Sequence, residues 1–170
     1  MTGRQLILIR HAKAAAGALD LERALTPRGR RDASALGRLL VRDGIFPDLA
    51  VVSPARRARQ TWDGAQAELP GIVESVIDDR IYDNHVAALL GVINDTTDVV
   101  RSLALVGHNP GFAELAELLD DGRGEPDARQ RLLVGYPTSA VAVLDVAVPW
   151  DEVRAQSATL TAFSVPRADT

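Results

Sequence analysis

Leu6-Ile7-Leu8-Ile9-Arg10-His11 decides how the rest of the chain is read. Four apolar residues in a row, without polar alternation, describe a strand buried on both faces, which is the mark of a parallel sheet covered by helices on each side. The same kind of run returns at Leu49-Ala50-Val51-Val52 and at Leu103-Ala104-Leu105-Val106. Longer amphipathic stretches lie between these runs. Thr26-Pro27 offers an N-cap and a proline at the first helical position, and Ala33, Leu36, Leu39 and Leu40 carry a helix to about Asp43-Gly44. Ser53-Pro54 starts another helix that runs to about Ala67. Further along, Ile72 to Ile77 reads as a strand, Asn84 to Ile93 and Phe112 to Leu119 as helices, and Asp120 to Asp127 as a polar loop. Ala140–Val148 and Ala155–Val165 read as a terminal strand pair turning near Pro149-Trp150-Asp151. The predicted architecture is an α/β three-layer α/β/α sandwich with a central, mostly parallel sheet.

Composition narrows the classes. At 170 residues, 46% hydrophobic and 25% charged, the chain reads as one globular domain over residues 1–170, with no repeat, low-complexity tract or linker to divide it. A net charge of −4 speaks against a dedicated nucleic-acid binder, which needs concentrated Lys and Arg to displace counterions. The absence of cysteine rules out disulfides, thiolate metal sites and cysteine nucleophiles. No stretch approaches the roughly 20 apolar residues of a membrane span, and Met1–Arg4 with Leu6–Ile9 does not make a signal peptide, so a soluble, cytoplasmic protein is expected. All the basic residues but Lys13 are arginine, a bias that a GC-rich genome explains, so only the placement of individual arginines is informative.

Two of the three histidines stand just beyond the carboxyl ends of strongly apolar strands: His11 after Arg10, and His108 after Gly107. In open α/β sheets that edge is where ligands bind, and parallel strands would bring both rings into one cleft. A histidine that merely ties down a strand end is the alternative for either one alone. His85 reads as an ordinary surface or boundary residue. Arg10 directly precedes His11, while Arg56, Arg57 and Arg59 fall in the first turns of the helix after the second strand, and guanidinium forks and helix N-termini both hold anions. A solvated basic face is the alternative for Arg56 and Arg59. Imidazoles beside arginines suggest a phosphate pocket rather than a metal centre, because arginines would repel a dication.

These residues also carry a resemblance. Arg10-His11-Ala12 resembles the arginine-histidine-glycine signature of the histidine phosphatase superfamily, which includes the phosphoglycerate mutases. Leu25-Thr26-Pro27-Arg28-Gly29 is similar to that family's opening of the first helix. The segment from Val52 to Thr61 resembles its serine-proline-x-x-arginine-alanine-x-glutamine-threonine stretch, which would put the second phosphate-binding arginine at Arg57. Val106-Gly107-His108-Asn109-Pro110 matches the second catalytic histidine, and Pro137-Thr138-Ser139-Ala140 looks like the closing segment. The short length and Arg10-His11-Ala12-Lys13-Ala14 look most like the SixA-type phosphohistidine phosphatases. Two departures stand out: Ala12 replaces a glycine, tolerable where the backbone needs no positive φ, and Asp78-Asp79 stands where mutase-like members have a glutamate acid.

The resemblance implies a metal-independent phosphatase with no cofactor. His11 would attack phosphorus and become phosphorylated, and water would then release the phosphoryl group. Arg10 and Arg57 would hold phosphate oxygens, with His108 donating to another as the cation. An ordinary imidazole pKa of about 6.5 leaves a useful neutral fraction of His11 at pH 7. An alkoxide needs an acid to leave whereas imidazole does not, so a weak or missing acid favours phosphohistidine. Only about 25 residues separate the second strand from Asp78, too few for a large helical cap, and an open pocket suits a phosphorylated protein as partner. A small phosphorylated substrate, with Asp78 or Asp79 as acid, is the second expectation, and a non-catalytic phosphate-recognising module the third.

Overall fold

Residues that do not alternate in sequence do alternate in destination along β1 (Arg4–Arg10), the strand at the centre of the molecule. In the computed structural model, which describes residues 3–17 and 19–169, Leu6 and Leu8 enter one core with Leu103, Leu105, Phe112 and Leu115. Ile7 and Ile9 enter a second core on the opposite face with Leu36, Trp62, Ala104 and Val106. Each face of the strand therefore needs its own apolar set, which a continuous Leu/Ile run supplies.

Among the described residues the sheet has six strands in the order β3-β2-β4-β1-β5-β6, with β2 (Leu49–Val52), β3 (Glu74–Ile77), β4 (Ser102–Gly107), β5 (Val141–Val146) and β6 (Ala158–Ser164). The β1–β4, β2–β4 and β2–β3 pairs are parallel, and the β1–β5 and β5–β6 pairs antiparallel. Helices α1 (Pro27–Arg42) and α2 (Arg56–Gln66) cover one face; α4 (Val86–Asn94), α5 (Gly111–Leu119) and α6 (Pro126–Val134) cover the other, with the short α3 (Asp79–Asp83) at the edge. This is the mostly parallel three-layer fold expected, and among the described residues no large helical insertion covers the sheet edge.

Several expected boundaries move. The third strand starts at Glu74 rather than Ile72, which is 96% exposed, because β3 is an edge strand with β2 as its only partner. The polar loop after α5 ends at Glu125, and α6 follows with Pro126 at its first position; only Ala128 and Leu132 of this helix are buried, too few to leave a period in the sequence. The terminal strands are shorter than expected at both ends, since Trp150 folds into the core between them and donates its indole N–H to the Val100 carbonyl at 2.7 Å. His85 is the exposed N-cap residue of α4 rather than part of the helix.

Two features place the site. Arg10 is paired with Gly107 in the β1–β4 register, so the next residue of each strand, His11 and His108, leaves the sheet beside its counterpart. The start of α1 then clamps the loop after His11. Thr26 caps α1 by accepting from the Gly29 amide at 2.9 Å and gives its own backbone N–H to the Lys13 carbonyl at 2.9 Å. Only glycine fits at position 29, because a Cβ there would collide with that same carbonyl.

Candidate active site

At the carboxyl edge of β1 and β4 the imidazoles of His11 and His108 lie with ring centroids 5.3 Å apart, tilted by 57°. Both are almost completely buried. The His11 Nδ1 lies 2.7 Å from the Ala12 carbonyl oxygen. A carbonyl can only accept, so Nδ1 carries the proton and Nε2 presents its lone pair. Ala12 holds its place without a positive φ, and its amide donates to Thr61 Oγ at 2.9 Å. Thr61 in turn donates to the Arg57 carbonyl at 2.7 Å, which ties the His11 loop to α2.

His108 is the other tautomer. Arg57 Nη2, a pure donor, approaches its Nδ1 at 3.5 Å, and its Nε2 lies 2.7 Å from the hydroxyl of the fully buried Ser53. The proton therefore sits on Nε2, and Nδ1 faces the pocket as an acceptor. Burial, more than any neighbour, pushes both rings down: His11 to about 4, helped by the charges of Arg57 and Arg10 against the opposing Ala12 bond, and His108 to about 3, helped by His11 and Arg57. In the pocket as it stands His108 is thus neutral, not the cation expected from its sequence position. Its Nδ1 becomes a donor to the pocket only where an incoming anion brings a proton with it or pays back the burial of charge.

These depressed values predict a pH dependence. The acid limb of kcat/KM, which reports the free enzyme, should lie near pH 4, where His11 gains the proton that blocks its lone pair. Both folded-state values lie below the unfolded one of about 6.5, so the unfolded chain binds more protons in between. The stability conferred by neutral His11 and His108 is complete above that pH and is lost as pH falls toward 4 and 3. An imidazole NMR titration checks this directly: two ring signals that titrate near pH 6.5 would contradict it.

Of the three candidate arginines on α2, only Arg57 turns inward; Arg56 and Arg59 are exposed. The phase of the helix decides this, since the buried residues Arg57, Ala58, Thr61, Trp62 and Ala65 form one stripe. Arg10 is held by the Tyr136 carbonyl, 2.7 Å from its Nη1. Among the described residues the buried Nε atoms of Arg10 and Arg57 have no hydrogen-bond partner, so neither cation is fully satisfied there. With Lys13, Arg23 and Thr138 these groups line an open pocket of about 590 Å³.

Asp78 and Asp79 do not line it. Asp78 caps α3 and is paired with the Arg80 guanidinium at 2.8 Å, which lowers its pKa, and Asp79 is exposed at the first position of that helix. The pocket's carboxylates are Asp20 and Asp83 instead. Asp20 arrives from a short 3-10 helix, Asp20–Glu22, before α1. Its carbonyl accepts from Arg57 Nη1 at 2.8 Å, and its carboxylate from Arg57 Nη2 at 3.0 Å, Arg23 Nη1 at 3.0 Å and the Tyr82 hydroxyl at 2.6 Å. Those donors, Tyr82 first, drive its pKa well below the usual carboxylate range. Tyr82 also stands edge-on to His108, with ring centroids 5.7 Å apart. Neither Asp20 nor Tyr82 was marked by any motif in the sequence. His85 takes no part, and among the described residues no group of three His, Asp or Glu side chains could hold a metal ion.

A mostly parallel α/β sheet with two imidazoles and two arginines at its carboxyl edge defines a phosphoryl-transfer class of protein, and the chain belongs to the histidine phosphatase superfamily (branch 1), whose profile matches residues 6–97. Within it, the structure is similar to one described as a candidate phosphohistidine phosphatase SixA from Nakamurella multipartitia, with a TM-score of 0.84, 27% identity and coverage of 98% of each chain. A second such candidate from Agrobacterium tumefaciens gives a TM-score of 0.79 and 32% identity, covering 96% of this chain and 99% of that one. In sequence, an uncharacterized protein of Mycobacterium tuberculosis is 36% identical over 162 residues, spanning 94% of this chain and 100% of that protein. No helix among the described residues is long and apolar enough to cross a membrane.

Proposed function

We propose that the protein removes the phosphoryl group from phosphohistidine displayed on another protein, through a phosphohistidine intermediate on His11. The observation that carries this is the state of the pocket: a neutral imidazole with its Nε2 lone pair free lies beside a buried guanidinium, while the carboxylate bonded to that guanidinium, Asp20, is held ionised. Such a site can attack phosphorus but has no acid in Asp20 to help an alkoxide leave.

The steps balance without further groups. The His11 Nε2 lone pair forms a bond to phosphorus as the substrate P–N bond breaks, its electron pair staying on the leaving imidazole. Arg10 and Arg57 hold phosphate oxygens, and their fixed charges supply the stabilisation that metal ions give elsewhere, so the reaction needs neither metal nor organic cofactor. Water then attacks the phosphoryl group on His11, and both protons of the water leave with the inorganic phosphate. That ring departs neutral with its proton still on Nδ1, shared with the Ala12 carbonyl. The similarity to candidate phosphohistidine phosphatases supports the substrate class, and the openness of the pocket suits a side chain presented on a protein surface.

The test compares turnover of a phosphohistidine-bearing protein, p-nitrophenyl phosphate and alkyl phosphates. Phosphohistidine and the nitrophenyl ester should be hydrolysed and alkyl phosphates only slowly. Asp78→Asn and Asp79→Asn should leave every rate within about twofold, the size of a change that touches no reacting group. The second reading, a small-molecule phosphomonoesterase, now rests on Asp83, which does line the pocket. Brisk alkyl phosphatase activity that falls roughly a hundredfold or more in Asp83→Asn would replace the phosphohistidine assignment with that one.

A further inference from the structure

An anion pocket with a carboxylate set into it poses a physical problem. Asp20 occupies two donors of Arg57, the buried cation best placed to hold a phosphate, and a dianion bound there would feel its repulsion. The carboxylate is not a stray surface contact. It is fixed from three sides by Arg57, Arg23 and Tyr82, yet its side chain, which lines the pocket, remains about half exposed, at 48%. Among the described residues three donors reach it, which leaves one of its roughly four acceptor directions open.

We propose that Asp20 is a specificity residue that receives the protonated ring nitrogen of the substrate's phosphohistidine. The inference rests on the phosphohistidine reading above and deepens it. An N-phosphorylated imidazole leaves readily only while its second nitrogen keeps a proton, because the ring then departs as neutral imidazole with no proton transfer. In that state the ring carries positive charge next to the phosphoryl group. A carboxylate lining the pocket, one acceptor direction open, suits that N–H, whereas a phosphomonoester offers it only a neutral leaving group and the phosphate's own charge. During the transfer the P–N electron pair goes to the leaving nitrogen, a P–N bond forms at His11 Nε2, and the proton beside Asp20 stays on the departing ring.

The enzyme applies the same device to itself. His11 keeps its second nitrogen protonated against the Ala12 carbonyl, so that the phosphorylated His11 can later leave from phosphorus as neutral imidazole. Asp20 would do for the substrate ring what Ala12 does for His11, with a full charge in place of a dipole because its position is more exposed.

Asp20→Asn separates this from the other roles, since the amide keeps the size and removes the charge, and the position is exposed enough for the fold to survive. Free N-phosphohistidine, p-nitrophenyl phosphate and inorganic phosphate as inhibitor are the probes. The ratio of kcat/KM for phosphohistidine to that for p-nitrophenyl phosphate should fall roughly ten- to a hundredfold, the worth of one charge-assisted hydrogen bond. Inhibition by inorganic phosphate should at the same time tighten, because Arg57 loses a competing anion. If Asp20 only positions Arg57, both substrates lose equally and phosphate binds more weakly; if it only blocks the pocket, both substrates gain equally. Either result overturns the proposal. A wild-type protein inert toward phosphohistidine would instead defeat the functional reading on which it rests.

Discussion

His11→Ala should release no phosphate above background, a loss of roughly five or six powers of ten, as expected when the nucleophile of a concerted site is removed. No cysteine, serine or second histidine is placed to substitute for it. The chain has no cysteine, Ser53 lies fully buried behind His108, and the pocket-facing Nδ1 of His108 is met by the Arg57 guanidinium. The fold should survive the change, because the His11 backbone N–H still reaches the Gly107 carbonyl. A melting temperature near that of the wild type, together with phosphate binding retained and phosphoenzyme labelling lost, would separate chemistry from folding. Phosphate release by His11→Ala within tenfold of the wild type would remove His11 from the mechanism.

His11 and His108 could be found in the sequence because their placement follows from rules that need no tertiary knowledge. A non-alternating Leu/Ile run must be a central strand, and residues just past the carboxyl ends of central parallel strands face the ligand edge. The choice of Arg57 over Arg56 and Arg59 was also within reach, since Ala58, Trp62 and Ala65 already mark the buried stripe of α2. Asp20 and Tyr82 were not. Asp20 opens a three-residue 3-10 helix, Asp20–Glu22, that buries no side chain and is placed by its contacts with α2, and Tyr82 sits in a five-residue helix that buries a single side chain, Ile81. Asp78 and Asp79, which the sequence offers as the acid only in the second expectation, stand outside the pocket for a related reason: the first turn of α3 uses Asp78 as its cap and points it to Arg80. Where backbone pairing or helix phase controls a residue its role is legible, and where a loop's packing controls it the sequence is silent. The protonation state follows the same division. Ordinary imidazole chemistry gives a half-charged pair near neutrality, and only the burial of both rings, invisible before the fold is known, makes them neutral.

Arg57→Ala should lower kcat by roughly two to four powers of ten, the cost of deleting one preorganised charge donor at a transition state. More than one function goes with the guanidinium. It is the most buried of the pocket's cations, it fixes the tautomer of His108 by donating toward Nδ1, and it holds the Asp20 segment by both carbonyl and carboxylate. The lost positive charge also lowered the pKa of His11 and His108, so in Arg57→Ala both rings should titrate at higher pH than in the wild type, a shift that NMR can read without substrate. Arg57→Lys should recover only part of the rate, since a single ammonium cannot span Asp20 and an anion as a planar fork does. Arg56→Ala and Arg59→Ala serve as controls of the same charge change on the exposed side of α2 and should stay within about twofold of the wild type, because surface charges separated from the site by water act weakly. If these controls fall as far as Arg57→Ala, the basic character of the helix matters rather than one anchoring residue. If Arg57→Ala keeps the wild-type rate, phosphate is held elsewhere in the pocket and the role given to this arginine is wrong.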